Sequence, residues 1–183
     1  MKEQTESILS ILVENSPGVL SQISRLFSRK GYNIDSIASG TTEDPDVTRI
    51  TIVMKGEQEI IAQITAQLRK LLPVISVKVL SSGSSVKREL VLVKVNAESR
   101  EKRDEVIQIV NVFRAGIVDM SRDTLTVAIM GDEEKTGALM NLLGDFGILE
   151  VVRTGTIAIE RGRSTIYDDN KEKGEYGYGK NVL

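Results

Sequence analysis

Cysteine and histidine are both absent from the 183 residues, and aromatic side chains make up only 4% of them. Without thiols there are no disulfides, and without either residue the zinc-type ligand sets and the usual nucleophile and base pairs of hydrolases are excluded. No catalytic residue is therefore assigned, and an enzyme built on carboxylates alone finds no convergent acid pair to work with. No window approaches the roughly 18 consecutive apolar residues of a membrane-spanning helix, and the N-terminus carries no long apolar segment. A cytoplasmic protein is expected. Charge of neither sign dominates, with 24 basic and 26 acidic side chains, so no electrostatic footprint for nucleic acid or an anionic membrane is present. Small molecules and other proteins remain as partners.

The length suits two compact units. Ile8 to Val13 is an apolar run with β-branched residues, and after a turn Val19, Leu20, Ile23, Leu26 and Phe27 recur at helical spacing. Asn33 to Thr42 reads as a strand, Glu43-Asp44-Pro45-Asp46 as a polar turn, and Val47 to Lys55 as a strand with Ile50, Ile52 and Met54 on one face and Arg49, Thr51 and Val53 on the other. The solvated turn is preferred to a metal site there. Ile60, Ile61, Ile64, Leu68, Leu71 and Leu72 form a second helix stripe that Pro73 stops, and Val74 to Val79 supplies a fourth strand. The order is β-α-β-β-α-β, a ferredoxin-like unit.

Ser81-Ser82-Gly83-Ser84-Ser85 has the composition of a flexible link. The same order then returns. Val53 to Glu59 and Ala128 to Glu134 both end a strand at glycine and open a helix with acids, which points to internal duplication. The fold expected is α+β: two ferredoxin-like (βαββαβ) domains in tandem, over 5–82 and 86–160. The charged, glycine-rich stretch 161–183 is expected to be a disordered tail.

The most informative stretch is Glu14-Asn15-Ser16-Pro17-Gly18-Val19-Leu20, closing at Gly31-Tyr32-Asn33. Ser16 is placed as the helix cap, Pro17 in the first turn and Gly31 as the left-handed residue at its end. The N–H groups of Gly18, Val19 and Leu20 then point out of a helix N-terminus, where a carboxylate or phosphate is favoured. Gly18 has no Cβ to block its approach. On the residues alone a plain strand-to-helix turn is the commoner use of this pattern. The second half starts its helix from Asn96-Ala97-Glu98-Ser99-Arg100 instead, so no second ligand turn is expected.

Residues 11–20, 26–34 and 42–45, together with Lys87-Arg88-Glu89-Leu90, Ile109 to Arg114 and Arg153-Thr154-Gly155, closely resemble the small, regulatory subunits of acetolactate synthase (acetohydroxyacid synthase). The resemblance runs to about Gly162. It implies an N-terminal ACT domain that senses a branched-chain amino acid, usually valine, and a second domain that contacts and helps activate a catalytic large subunit. That subunit, not this chain, would hold thiamine diphosphate, magnesium and FAD; no metal is assigned here. In the family the effector lies between two ACT domains, which implies a homodimer. It also implies an effector site formed by Asn15, Ser16, Gly18, Val19 and Leu20 of one chain with Asn33 and Ile34 of the other. Feedback inhibition within branched-chain amino acid biosynthesis would follow, and Gly18→Asp is expected to abolish it with little effect on the fold. A chain ending near Ser82 is expected to keep dimerisation and effector binding. A stand-alone amino-acid sensor is the alternative reading, against which the second domain speaks.

Overall fold

Two successive β-α-β-β-α-β runs make up the computed structural model, which describes residues 5–81 and 83–168. The first comprises β1 (Thr5–Glu14), α1 (Val19–Lys30), β2 (Ser36–Thr41), β3 (Val47–Gly56), α2 (Gln58–Leu68) and β4 (Val74–Leu80). The second comprises β5 (Ser85–Asn96), α3 (Arg100–Val112), β6 (Gly116–Met120), β7 (Thr124–Gly131), α4 (Glu133–Gly144) and β8 (Ile148–Arg153), and a short β9 (Ile157–Glu160) follows. The sheets are antiparallel, ordered β2-β3-β1-β4 and β6-β7-β5-β8, with β9 paired to β5. The chain divides into two compact units: the first runs to Val86 and resumes at Ala158, and the second is Lys87–Ile157.

In the first unit α1 and α2 cover one face of the sheet. Leu9, Ile11 and Val13 of β1, Ile50, Ile52 and Met54 of β3, and Ile23, Leu26, Phe27, Ile64 and Leu68 of the helices share one buried cluster. α1 ends as its sequence requires. Gly31 adopts φ 70°, its N–H donates to Ser28 C=O (3.1 Å), and the Tyr32 N–H donates to Phe27 C=O (3.1 Å). This is the paired closure of a glycine-terminated helix.

The other face of that sheet is also buried. Every residue from Ile8 to Val13 is buried, so both faces of β1 are covered. The cover is the chain's own residues 158–168. Ala158 packs with Ile8, Val53 and Leu80, and Ile166, only 4% exposed, packs with Leu12 and Val47. Polar contacts lie between these anchors. Ser76 Oγ donates to Ile166 C=O (3.0 Å), Lys78 pairs with Glu160 (2.8 Å) and donates to Thr165 C=O (3.1 Å), and Tyr167 O–H donates to Glu43 (3.3 Å). Burial is the main cause that lowers the Arg49 guanidinium's pKa, and burial followed by the charge of Glu43 raises that of the Tyr167 phenol.

The expected disordered tail therefore does not begin at Arg161. Residues 161–168 belong to the first unit because its sheet is apolar on both faces and needs them; the expectation for 169–183 falls outside the described residues. The second domain, expected to run to 160, gives way at Ala158. The polar link differs as well: Ser84 N–H and Ser85 Oγ both donate to Ser81 C=O (3.3 and 2.7 Å), so it contains a hydrogen-bonded turn. β2 starts at Ser36 rather than Asn33.

The second unit repeats the first down to its irregularities. β1 shifts register against β4 between Leu12 and Val13, and β5 against β8 between Lys94 and Val95. Asn15 N–H donates to Asp46 C=O and Ala97 N–H to Asp123 C=O, both at 2.7 Å. Burial alternates along β5, however. Val91, Val93 and Val95 are buried under α3 and α4, while Leu90 and Leu92 are exposed on the opposite face. Glu89, buried within β5, accepts from Thr136 Oγ1 and from Arg153 (2.9 Å), which joins the two motifs around residues 87–90 and 153–155.

Where the first unit has Gly31, the second has Arg114 at φ 51°, with the same pair of closing bonds from Arg114 N–H to Asn111 C=O and Ala115 N–H to Val110 C=O. A side chain in this region costs about 1 kcal/mol or more. Arg114→Gly is expected to raise the unfolding free energy by about 1 kcal/mol, measured by urea denaturation. A chain cut after Ser81 lacks the cover of Ile8, Leu12, Val47 and Val53. It is expected to bind a hydrophobic dye and to melt well below the full chain, contrary to the reading that its first domain is self-sufficient.

Candidate functional site

The turn between β1 and α1 is fixed from two sides. Glu14 N–H donates to Pro73 C=O (2.9 Å), and Asn15 holds the 43–46 hairpin twice, through its N–H to Asp46 C=O (2.7 Å) and its Nδ2 to Pro45 C=O (2.8 Å). The hairpin is itself closed by Thr42 Oγ1, which donates to Val47 C=O, and by Asp44, whose carboxylate accepts from Asp46 N–H. Asn15 Oδ1 is left as an acceptor at the exposed surface.

Ser16 does not cap α1. Its own N–H donates to Glu14 C=O (2.9 Å), Pro17 lies outside the helix, and the N-cap is Gly18 at φ 87°, with no side-chain hydrogen bond to the helix start. The turn needs a left-handed residue at that position, and only glycine takes it without strain. The consequence expected from sequence survives by a different route. The N–H groups of Gly18, Val19 and Leu20 have no acceptor among the described residues, and a Cβ built on Gly18 meets nothing within 4 Å. Val19 contributes its N–H alone, because its side chain is in the core, whereas Leu20 is half exposed. The site can accept an anion at the positive end of the helix.

Asn33 and Ile34 are elsewhere. They follow α1 and precede β2, and α1 has 12 residues, so about 18 Å of helix separates them from Gly18 at 1.5 Å per residue. Asn33 is exposed, with Nδ2 donating to Asp35 (3.1 Å) and Oδ1 left as an acceptor; Ile34 is half buried against the core. A single chain thus brings Asn15, Ser16, Gly18, Val19 and Leu20 together but not the other two. A crevice of about 180 Å³ between α1 and α2, lined by Leu26, Lys30, Tyr32 and Gln67, is at the far end of α1 and separate from the turn. Among the described residues no group of three or more acidic side chains could hold a metal ion.

The corresponding turn of the second unit is closed. Ala97 replaces Asn15 and is fully buried, and Ser99 Oγ accepts from Lys102 N–H (3.2 Å), occupying the helix start that Gly18 leaves open. Arg103 bridges the carbonyls of Ala97 and Arg122 in place of the Asn15 amide.

Residues 9–76 match the model of the small-subunit-like ACT domain of acetohydroxyacid synthase, and residues 88–162 match that of the small subunit of acetolactate synthase. The chain belongs to the acetolactate synthase small-subunit family. It is 48% identical over 164 residues to a probable acetolactate synthase small subunit of Methanothermobacter thermautotrophicus, covering 90% of this chain and 98% of that one. The acetolactate synthase small subunit of Mycolicibacterium smegmatis is 46% identical over 84% of this chain and 90% of its own length. The crystal structure of the small subunit from Thermotoga maritima superposes with a TM-score of 0.81 at 37% identity, covering 87% of this chain and 99% of that one. The first unit is accordingly an ACT domain, and the open turn lies in it.

The left-handed backbone at Gly18 can be measured directly. Gly18→Ala is expected to lower the unfolding free energy by about 1–2 kcal/mol, and Gly18→Asn by less, because asparagine enters this region more readily. Equal stability of all three in urea would show that the turn relaxes to another conformation.

Proposed function

We propose that this chain is the regulatory subunit of acetolactate synthase in branched-chain amino acid biosynthesis. It activates a separate catalytic large subunit and makes it subject to feedback inhibition by a branched-chain amino acid, valine favoured, bound between the ACT domains of a homodimer. The observation that carries this reading is the open start of α1, with acceptor-free N–H groups at Gly18, Val19 and Leu20 beside a vacant Cβ position in a chain of this family. The effector carboxylate takes those donors. Its ammonium takes the Oδ1 atoms of Asn15 and, from the second protomer, Asn33. Leu20 and the second protomer's Ile34 wall the side chain.

The geometry of one chain supports the need for two. Residues 33–34 lead into β2, an edge strand of the sheet, and a free edge invites pairing with its symmetry mate. An effector that touches both chains favours one arrangement of the dimer over another, and the catalytic subunit reads that difference through its contact with the second domain. Thiamine diphosphate, magnesium and FAD are held by the catalytic subunit, and the complex works in the cytoplasm. A pocket distinguishes valine from leucine or isoleucine weakly, since one methylene is worth only about 1–3 kcal/mol. Titration with each amino acid ranks them.

Mixing the chain with its cognate catalytic subunit is expected to raise turnover, and valine to lower it. Unchanged turnover would leave the stand-alone sensor. Gly18→Asp puts a carboxylate and a strained backbone where the effector carboxylate binds. It is expected to keep activation and lose inhibition, with Asn33→Ala a milder case; the strain at φ 87° makes a thermal melt of each variant a necessary control. A folded Gly18→Asp chain that remains fully inhibited would place the effector elsewhere.

A further inference from the structure

Asn15 owes its position to the 43–46 hairpin, and that hairpin has a second support on its other side. Val47 at its base packs against Ile166, which also packs against Leu12, three residues before Asn15 on β1. Glu43 at its start accepts from Tyr167 O–H (3.3 Å). Residues 165–168 are braced locally: Thr165 N–H donates to the Asp168 carboxylate (2.6 Å), Asp168 N–H to Thr165 C=O (3.2 Å), and the Ser76 hydroxyl fixes the Ile166 carbonyl (3.0 Å). The hairpin is therefore held between the candidate effector turn and a segment more than 100 residues later in the sequence.

We propose that Ile166 and Tyr167 are positioning residues for the effector turn: by seating on Leu12, Val47 and Glu43 they hold the 43–46 hairpin where its carbonyls fix Asn15. The physical basis is that, among the described residues, the hydrogen bonds of Asn15 itself go to the hairpin alone, although the turn is also tied through Glu14 N–H to Pro73 C=O. Both of these bonds end on the hairpin carbonyls of Pro45 and Asp46, so freedom gained by the hairpin passes to Asn15 and to the helix start beside it. Loosening Ile166 frees the hairpin on the side opposite the ligand. The turn must then be ordered when the effector binds, which weakens affinity without removing any ligand contact. The far end of the same segment provides an internal reference. Ala158 covers Ile8, Val53 and Leu80 at the opposite end of β1, in a cluster that contains no hairpin residue.

This inference rests on the proposed site for its effect on the effector, but the hairpin can be followed without any ligand. In the full chain, Ile166→Ala and Tyr167→Phe are expected to raise hydrogen exchange at the Asn15 amide severalfold or more and to weaken valine binding three- to tenfold in calorimetry. Ile166→Leu, which restores the volume, is expected to recover both. Ala158→Gly, which lowers global stability through the same segment, is expected to leave Asn15 exchange at the wild-type rate. Unchanged Asn15 exchange in Ile166→Ala overturns the proposal. So does an Ala158→Gly chain that accelerates Asn15 in proportion to its loss of stability, because the segment would then act only as cover. Faster Asn15 exchange in Ile166→Ala, together with a wild-type chain that binds no branched-chain amino acid, supports the positioning role and instead removes the proposed effector.

Discussion

A sheet with two apolar faces must be covered twice, and the first unit depends on that constraint. Ile8 to Val13 is buried on both sides, and α1 and α2 cover only one. Burial of apolar surface is worth about 25 cal/mol per Å², so leaving Ile8, Leu12, Val47 and Val53 in water would be unfavourable by several kcal/mol. The chain meets the requirement by returning at residues 158–168 after the second unit is complete. The first unit is thus built from two stretches of sequence with the second unit between them in the chain. Its last covering residues also support the hairpin that holds Asn15.

The two units share strand order, register shifts and the hydrogen bonds that end their first strands, and they diverge where chemistry differs. Asn15 and Gly18 leave polar groups free at the start of α1. At the same place in the second unit Ala97 is buried and Ser99 fills the helix start with its own hydroxyl. The divergence at the helix end runs the other way, with relaxed Gly31 in the first unit and strained Arg114 in the second. The same framework therefore carries an open helix start in one unit and a side-chain-capped one in the other.

One protomer offers donors at the start of α1 and an acceptor amide beyond its end, and a rigid helix keeps the two apart. On the function proposed above, a zwitterion that uses both would recruit a second protomer, and effector binding and the arrangement of the dimer would be one equilibrium.

Much of this was legible in the sequence alone. Helical and alternating periodicities gave twelve elements in the right order, Gly31 marked the end of α1, and the absence of cysteine and histidine removed most catalytic chemistries. The contrast between Asn15-Ser16-Pro17-Gly18 and Asn96-Ala97-Glu98-Ser99 separated the open turn from the closed one. The role of Ser16 was misread because a serine before a helix caps it only if the backbone places it there, and a left-handed Gly18 moved the helix start two residues on. The cover over the first sheet left one trace, the unbroken apolar run Ile8 to Val13, which signals a strand buried on both faces. Sequence could not say what buries the second face. Ile166 and Ala158 lie in a stretch without periodicity, and their value comes only from contact with Leu12, Val47, Ile8 and Val53. Local pattern determines the elements because propensity and burial period act over a few residues. Only the tertiary structure decided that residues 158–168 belong with the first sheet, because that choice is made by surface left uncovered more than 100 residues away.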